Sequence, residues 1–149
     1  MRVVVQRSLN SKVTVDGKIS GSIKNGLVLL VGFNKNDTVK DIDYMVKKIV
    51  NLRIFDDSNH IMNKSVIDVS GSILSISQFT LYAETKKGNR PSYINAMNSV
   101  DAKKLYDIFN EKLNKYVHTE TGIFGSDMQV TLQKDGPVTI ILDSDELFK

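Results

Sequence analysis

The sequence predicts a mixed α/β fold in which layered β-sheets (β/β/α, barrel-like) carry two main helices on one outer face. Apolar runs that alternate or are continuous, each too short for a typical helix, recur from Val3 to Leu142. Two segments, beginning near Asp37 and Ser99, instead repeat apolar residues with the helical period. The chain has 149 residues, 41% of them apolar, which suits one core. We therefore expect a single domain over residues 1–149.

The first segments predict two strands joined by a tight turn and then a buried strand. Residues 3–6 and 13–15 alternate apolar and polar side chains, and Asp16-Gly17 is typical of a two-residue hairpin turn with a strand returning after it. Asn25-Gly26 predicts a break in the chain. Residues 27–31 (LVLLV) form a continuous apolar run, which indicates a strand buried on both faces and placed centrally in its sheet.

The spacing of apolar residues predicts both helices. The first begins at Asp37, with Asp37 or Thr38 as its cap, and places Asp41 and its other charged residues toward solvent. The second runs from Ser99 to about Tyr116, with Ser99 as its cap. We expect the second helix to pack against the sheet rather than to catalyse.

The remaining apolar segments predict further strands. One lies over residues 52–55, and a longer one runs over residues 71–82. Near the other end of the chain, residues 128–132 alternate, residues 135–137 (DGP) predict a turn, and residues 138–142 predict a final strand.

Composition excludes several functional classes. The chain has no cysteine, which removes disulfides, thiolate nucleophiles and zinc held by cysteine. Its two histidines, His60 and His118, have no metal-binding spacing, and there is no GxSxG elbow, P-loop or dinucleotide fingerprint. A net charge of +3 and a pI near 9.0 favour anionic partners mildly. No apolar run approaches the roughly 18 residues that span a bilayer, so we expect a soluble, cytoplasmic protein.

Residues 77–81 (SQFTL) close the longer predicted strand. On its own this pattern predicts an ordinary strand with one polar face, in which side chains alternate between the two sides. Four other blocks accompany it in order along the chain: MRVVVQR at 1–7, KGNRPS at 87–92, TGIFG at 121–125 and DGPVT at 135–139. With these five blocks the chain resembles the D-aminoacyl-tRNA deacylase family, from Met1 to about Ser144.

The resemblance implies the deacylase fold and an activity. Members of that family hydrolyse the ester that joins a D-amino acid to the terminal adenosine of tRNA, a chirality proofreading step, and they act as homodimers without metal or cofactor. The resemblance implies that a cis Gly136-Pro137 bond enters the pocket from the partner subunit and rejects L-amino acids sterically. Because glycine has no side chain to reject, we also expect hydrolysis of glycyl-tRNA. It also implies that the catalytic pocket is lined by Ser77, Gln78, Phe79 and Thr80.

The resemblance gives roles to residues that would otherwise be surface or core. It implies that Arg7 helps to fix the Gly-Pro loop across the dimer and that Phe124 lies near the bound adenosine, where its ring can stack on the base. Met128 is expected to be core or pocket wall. Lys134 departs from the family pattern, in which asparagine commonly precedes the turn. Contacts to tRNA phosphates, each adding salt-sensitive affinity, are expected from Lys86, Lys87 and Arg90.

The source of catalysis stays open at this point. An aminoacyl ester is an activated bond, so backbone amides near Phe79 and Thr80 that stabilise an oxyanion, together with a positioned water, would suffice. The Thr80 hydroxyl is a possible nucleophile without an identifiable base, and the 2′-hydroxyl of the terminal ribose is a third source.

Two other functions also stay open. One is a related deacylase for L-alanyl-tRNA, which carries proline in place of Ser77, and the other is a non-catalytic tRNA-binding module.

Overall fold

The centre of the molecule is a five-stranded mixed sheet, seen in a computed structural model that describes residues 1–148. Its strands, in chain order, are β1 (Arg2–Val15), β2 (Lys18–Gly32), β5 (Ser72–Ser77), β6 (Thr119–Thr121) and β7 (Gln129–Asp143). A separate two-stranded sheet consists of β3 (Phe55–Asp56) and β4 (Met62–Lys64). The helical elements are α1 (Val39–Val50), a 3₁₀ turn (Phe79–Tyr82), α2 (Ser99–Asn114) and α3 (Ser144–Phe148).

The strand order of the large sheet is β6-β5-β2-β1-β7, so β2 is central, as its apolar run predicts. β1 pairs antiparallel with β2 and β7, whereas β5 pairs parallel with β2 and β6. The mixed α/β class with outer helices is confirmed. The sheet is not a closed barrel, however, because β6 and β7 are its two edges and do not pair with each other in the part of the chain described.

Two apolar clusters lie on opposite faces of the sheet. The larger one joins α1 and α2 to alternate residues of β2, such as Leu27 and Leu29. The smaller one contains Val28, from the other face of β2, together with Val13 and Ile23 from the hairpin end. Those hairpin residues reach this cluster because the end of the hairpin folds over β5 and β6, where the Ser20 hydroxyl donates to the Thr121 carbonyl, 3.1 Å away. Because β2 and β5 are buried on both faces, their positions and the positions of their ends are fixed by packing.

The hairpin is confirmed, whereas two predicted breaks are wrong. Asp16 and Gly17 have φ angles of 49° and 73°, as the tight turn requires. Asn25-Gly26 lies within β2 and does not end a strand. Likewise the turn expected at residues 135–137 is a bulge inside β7, where Arg7 alone stands between the pairs Gln6–Thr139 and Ser8–Lys134.

Both helices are confirmed, with corrections at their ends. Thr38 caps α1, and the Asp41 side chain accepts a hydrogen bond from the Thr38 backbone N–H at 2.9 Å. Asp41 is therefore buried in a capping box and does not face solvent as predicted. The cap of α2 is Asn98, which accepts from the Asp101 N–H at 3.0 Å, so Ser99 is the first helical residue. In residues 1–148 we find no helix long and apolar enough to cross a membrane.

A buried ion pair joins the start of β1 to α1 and α3. The α-ammonium of Met1 lies 2.5 Å from Asp37 Oδ1 and 2.6 Å from the Ser144 hydroxyl. Burial raises the pKa of Asp37, and the ammonium beside it acts in the opposite direction. Asp37, Asp41 and Asp145 have oxygens within 4.8 Å of one another. Since the ammonium already supplies a positive charge there, we assign no metal to this group.

Candidate active site

A pocket of about 710 Å³ opens where β2 and β5 end. We call it the main pocket. Its walls come from these two strand ends, from the segment that leads into α2 and from the loop before β7. Its lining includes Gly32, Ser77, Gln78, Phe79, Tyr93, Met97, Phe124 and Met128.

The strand predicted over residues 71–82 is shorter than expected and turns at the pocket. β5 ends at Ser77, the Gln78 N–H donates to the Val31 carbonyl at 2.7 Å, and the chain then enters the 3₁₀ turn. The alternation expected for residues 78–81 is therefore wrong. Gly32 allows the turn to cross β2, because a Cβ there would lie 2.9 Å from the Gln78 carbonyl oxygen and 3.1 Å from the Leu81 Cβ.

The 3₁₀ turn leaves two neighbouring backbone donors beside the pocket. The N–H groups of Phe79 and Thr80 come first in the turn, and such groups have no partner within a helix. Within the described residues 1–148 we find no hydrogen bond from either group. Adjacent free N–H groups on a fixed turn can stabilise the negative oxygen that forms when a carbonyl is attacked.

The Thr80 hydroxyl is held by an amide and not by a base. The side-chain Nε2 of Gln78 donates to Thr80 Oγ1. An amide nitrogen cannot accept the proton that a hydroxyl nucleophile must lose. This contact favours a positioning role for Thr80.

The rings of Phe79, Tyr93 and Phe124 line the pocket, and the buried ring of Tyr106 packs against Phe124. Phe79, which is 57% exposed, meets Tyr93 edge to face at 4.9 Å between ring centroids. Phe124 packs at 5.7 Å against Tyr106, whose hydroxyl donates to the Ser75 carbonyl at 2.8 Å. Burial raises the pKa of Tyr106, which keeps this hydroxyl protonated as a donor. Exposed rings beside a pocket suit a ligand that carries a flat base.

Sequence reasoning missed some of the pocket residues. Tyr93 and Met97 precede α2 and line the main pocket, but neither stands in a recognisable pattern. An available signal was an aromatic residue within a polar, basic segment. Met128 serves both expected purposes, since it lines the pocket and packs against the smaller apolar cluster.

The Gly136-Pro137 bond is cis and lies in the β7 bulge, where both residues are exposed. Arg7 is buried beneath this bulge. Its Nε lies 2.9 Å from Asp135 Oδ2, and its Nη1 donates to the Ile54 carbonyl at 2.8 Å. Arg7 therefore contacts the Gly-Pro loop of its own chain, whereas the resemblance implies a role across the dimer.

The Gly-Pro loop does not line the main pocket of its own chain. Ser77 pairs with Val31, Val31 with Val3, and Val3 with Leu142, so Ser77 is level with Leu142 across the sheet. Crossing from β5 to β7 spans about 14 Å, and the bulge lies beside Arg7, four residues along β1 from Val3, which adds about 14 Å along the strand. The two predicted halves of the site thus lie apart within one chain.

The basic loop follows the 3₁₀ turn. It is closed by a bridge between Glu84 and Ser92, and Tyr93 comes directly after it. The cationic side chains, all exposed, belong to Lys86, Lys87 and Arg90. They therefore lie in the segment that joins two walls of the pocket.

Comparison with known proteins gives one family and closely similar structures. Residues 4–143 match the D-Tyr-tRNA(Tyr) deacylase family. The structure is similar to one described as a c-Myc DNA unwinding element binding protein, with a TM-score of 0.91, 42% identity, and coverage of 96% of this chain and 98% of that one. It is also similar to a probable eukaryotic D-amino acid tRNA deacylase, with a TM-score of 0.82, 16% identity, and coverage of 95% and 97% respectively. The second likeness concerns the fold alone.

Proposed function

The chain belongs to the D-Tyr-tRNA(Tyr) deacylase family and so is a hydrolase of the ester bond in D-aminoacyl-tRNA, and we propose that two copies of it build each active site together. One observation carries this proposal. Ser77, Gln78 and Phe79 line the main pocket, whereas Gly136 and Pro137 project from the far edge of the same chain. A second copy that brings its Gly-Pro loop to the pocket would complete the site.

The chemistry would rest on the turn at the pocket. A water oxygen attacks the ester carbonyl carbon, and the resulting oxyanion is held by the N–H groups of Phe79 and Thr80. When the intermediate collapses, the bond to the ribose oxygen breaks and that oxygen takes up the proton that the attacking water loses. The neighbouring 2′-hydroxyl would pass this proton from the water to the leaving oxygen. The Phe124 ring would stack on the terminal adenine.

Chirality would be selected by rejection. The carbonyl groups of the partner's Gly-Pro loop would hold the α-ammonium, leaving space for a side chain on one side only. An L-side chain would meet backbone atoms, and a clash discriminates more strongly than a small loss of attraction. Glycine has no side chain to reject, so glycyl-tRNA is a second substrate of the same site.

The assay that tests this function follows release of amino acid from four charged tRNAs in the presence and absence of EDTA. We expect rapid hydrolysis of D-tyrosyl-tRNA, slower hydrolysis of glycyl-tRNA and none of L-tyrosyl-tRNA, with no effect of EDTA. Preferred hydrolysis of L-alanyl-tRNA would identify the related deacylase, which the serine at Ser77 speaks against. Binding without turnover would identify a tRNA-binding module. Loss of activity under chelation would overturn the metal-free mechanism.

Thr80→Ala should slow the reaction by about 10-fold or less, because the backbone donors, each worth roughly 10²–10³ in kcat, remain in place. Thr80→Ser keeps the hydroxyl that Gln78 contacts and serves as the control. Single-turnover kinetics with saturating enzyme measure the chemical step directly. Complete loss in Thr80→Ala, with tRNA binding intact, would instead support the hydroxyl as nucleophile.

Replacing the three cations of the basic loop, Lys86, Lys87 and Arg90, by alanine should weaken tRNA binding and its salt dependence together. Each lost phosphate contact lowers the slope of log Kd against log salt by about 0.7–0.9, so we expect a decrease of up to about 2–3. The matched control removes three exposed lysines from α1: Lys40, Lys47 and Lys48. If both variants gave the same slope of log Kd against log salt, the basic loop would not contact tRNA phosphates.

A further inference from the structure

Arg2, at the start of β1, ties the 3₁₀ turn to the opposite edge strand. Its Nη1 donates to the Leu81 carbonyl at 2.7 Å. Its Nε and Nη2 lie 2.9 and 2.8 Å from Asp143 Oδ2 on β7, and its guanidinium sits 4.9 Å from the centre of the Tyr82 ring. One side chain therefore joins β1, β7 and the turn that carries the two backbone donors.

The turn depends on contacts from outside itself. A 3₁₀ helix of one turn has poor hydrogen-bond geometry and is rarely stable alone. Its N-terminal end is fixed by the hydrogen bond from the Gln78 N–H to the Val31 carbonyl. At its C-terminal end the Leu81 carbonyl is one of the last carbonyls, which have no donor within a helix. Arg2 supplies that donor, so Phe79 and Thr80 lie between two anchors.

We propose that Arg2 is a positioning residue for hydrolysis. Resting on the proposed function, the inference is that its bond to the Leu81 carbonyl sets the angle at which the N–H groups of Phe79 and Thr80 meet the oxyanion. Arg2 itself does not line the main pocket. Asp143 holds the guanidinium group in one orientation through two of its nitrogens. The hydrogen bond to the Leu81 carbonyl therefore has a fixed direction. A lysine at this position has no planar fork with which to satisfy both partners.

Arg2→Ala should lower kcat for D-tyrosyl-tRNA about 10- to 100-fold with KM little changed, because a misplaced donor loses transition-state stabilisation. The kcat of Arg2→Lys should lie between those of the wild type and Arg2→Ala. Guanidinium ion added to Arg2→Ala should restore part of kcat. The matched control is Arg53→Ala, which removes another arginine whose Nε donates to a backbone carbonyl, that of Asn63 at 3.0 Å, away from the pocket.

A second measurement does not depend on activity. Amide chemical shifts and hydrogen exchange of Phe79 and Thr80 should change in Arg2→Ala and stay as in the wild type in Arg53→Ala. Unchanged amides, or a kcat loss that merely follows a lower melting temperature, would overturn the positioning role. If the wild type fails to hydrolyse D-tyrosyl-tRNA while the amides of Phe79 and Thr80 still change in Arg2→Ala, Arg2 does position the turn and the proposed function is wrong. The two ideas are thereby separable.

Discussion

Gly136→Ala should lower kcat/KM for D-tyrosyl-tRNA by at least about 100-fold, since a displacement of about 1 Å in a positioning group costs on that order. Gly136 has a φ of +113°, a backbone angle that residues other than glycine rarely adopt. A Cβ there would lie 2.8 Å from both Arg7 Nη2 and Val138 Cγ2. Arg7 cannot move aside freely, because it is buried and held by Asp135 and the Ile54 carbonyl. The loop itself must shift.

The control is Gly17→Ala in the hairpin turn. Gly17 also has a positive φ, +73°, but a Cβ there would meet no atom within 4 Å. It therefore reports the cost of backbone conformation without crowding. Unchanged kinetics in Gly136→Ala, with the variant folded, would remove the Gly-Pro loop from the reaction.

Mixing two defective variants tests whether the site is shared between copies. Thr80→Pro removes one of the two backbone donors beside the pocket, whereas Gly136→Ala damages the loop. In a mixed dimer one site combines an intact pocket with an intact loop, so mixing followed by subunit exchange should restore activity that neither variant has alone. No recovery, with mixed dimers demonstrated by mass, would place both halves of the site in one chain.

Periodicity predicted the parts of the fold that burial controls. The apolar stripes of α1 and α2 and the continuous run in β2 depend on which face meets the core, and all three elements lie where their patterns indicate. Asp41 shows the limit of this reasoning. Its charge predicts exposure, but the capping box and the nearby Ser144 hydroxyl, which donates to it at 2.8 Å, stabilise it in a buried place.

The candidate site was less predictable because contacts distant in sequence shape it. Residues 77–81 alternate as a strand would, and their turn into a 3₁₀ helix depends on Gly32, on the Val31 carbonyl and on Arg2. No local pattern reports these contacts. The family resemblance predicted which segments form the site and that the Gly-Pro loop comes from the partner subunit. The strand pairs give the separation between this loop and the pocket of its own chain.

Gly26→Ala should be the most destabilising single change considered, lowering the free energy of unfolding by more than about 3–5 kcal/mol, the scale of severe core mutations. Gly26 has a φ of +144°, and a Cβ there would lie 1.8 Å from the Ser72 carbonyl oxygen and 2.6 Å from the Ser72 nitrogen. Both are backbone atoms, so no side chain can rotate to make space. β2 and β5, whose pairing begins at Gly26 and Ser72, would have to separate.

Thermal and denaturant unfolding measure this effect, with Gly17→Ala again as the control for a positive φ without a clash. A loss of 3 kcal/mol corresponds to a melting temperature about 6–12 °C lower in a domain of this size. Equal stability of the two variants would contradict the crowding argument. A folded fraction of Gly26→Ala should also lose activity, because β5 begins at this contact and ends at Ser77. The asparagine-glycine pair that looks like a break between strands is thus expected to hold two central strands together and, through β5, to support the pocket.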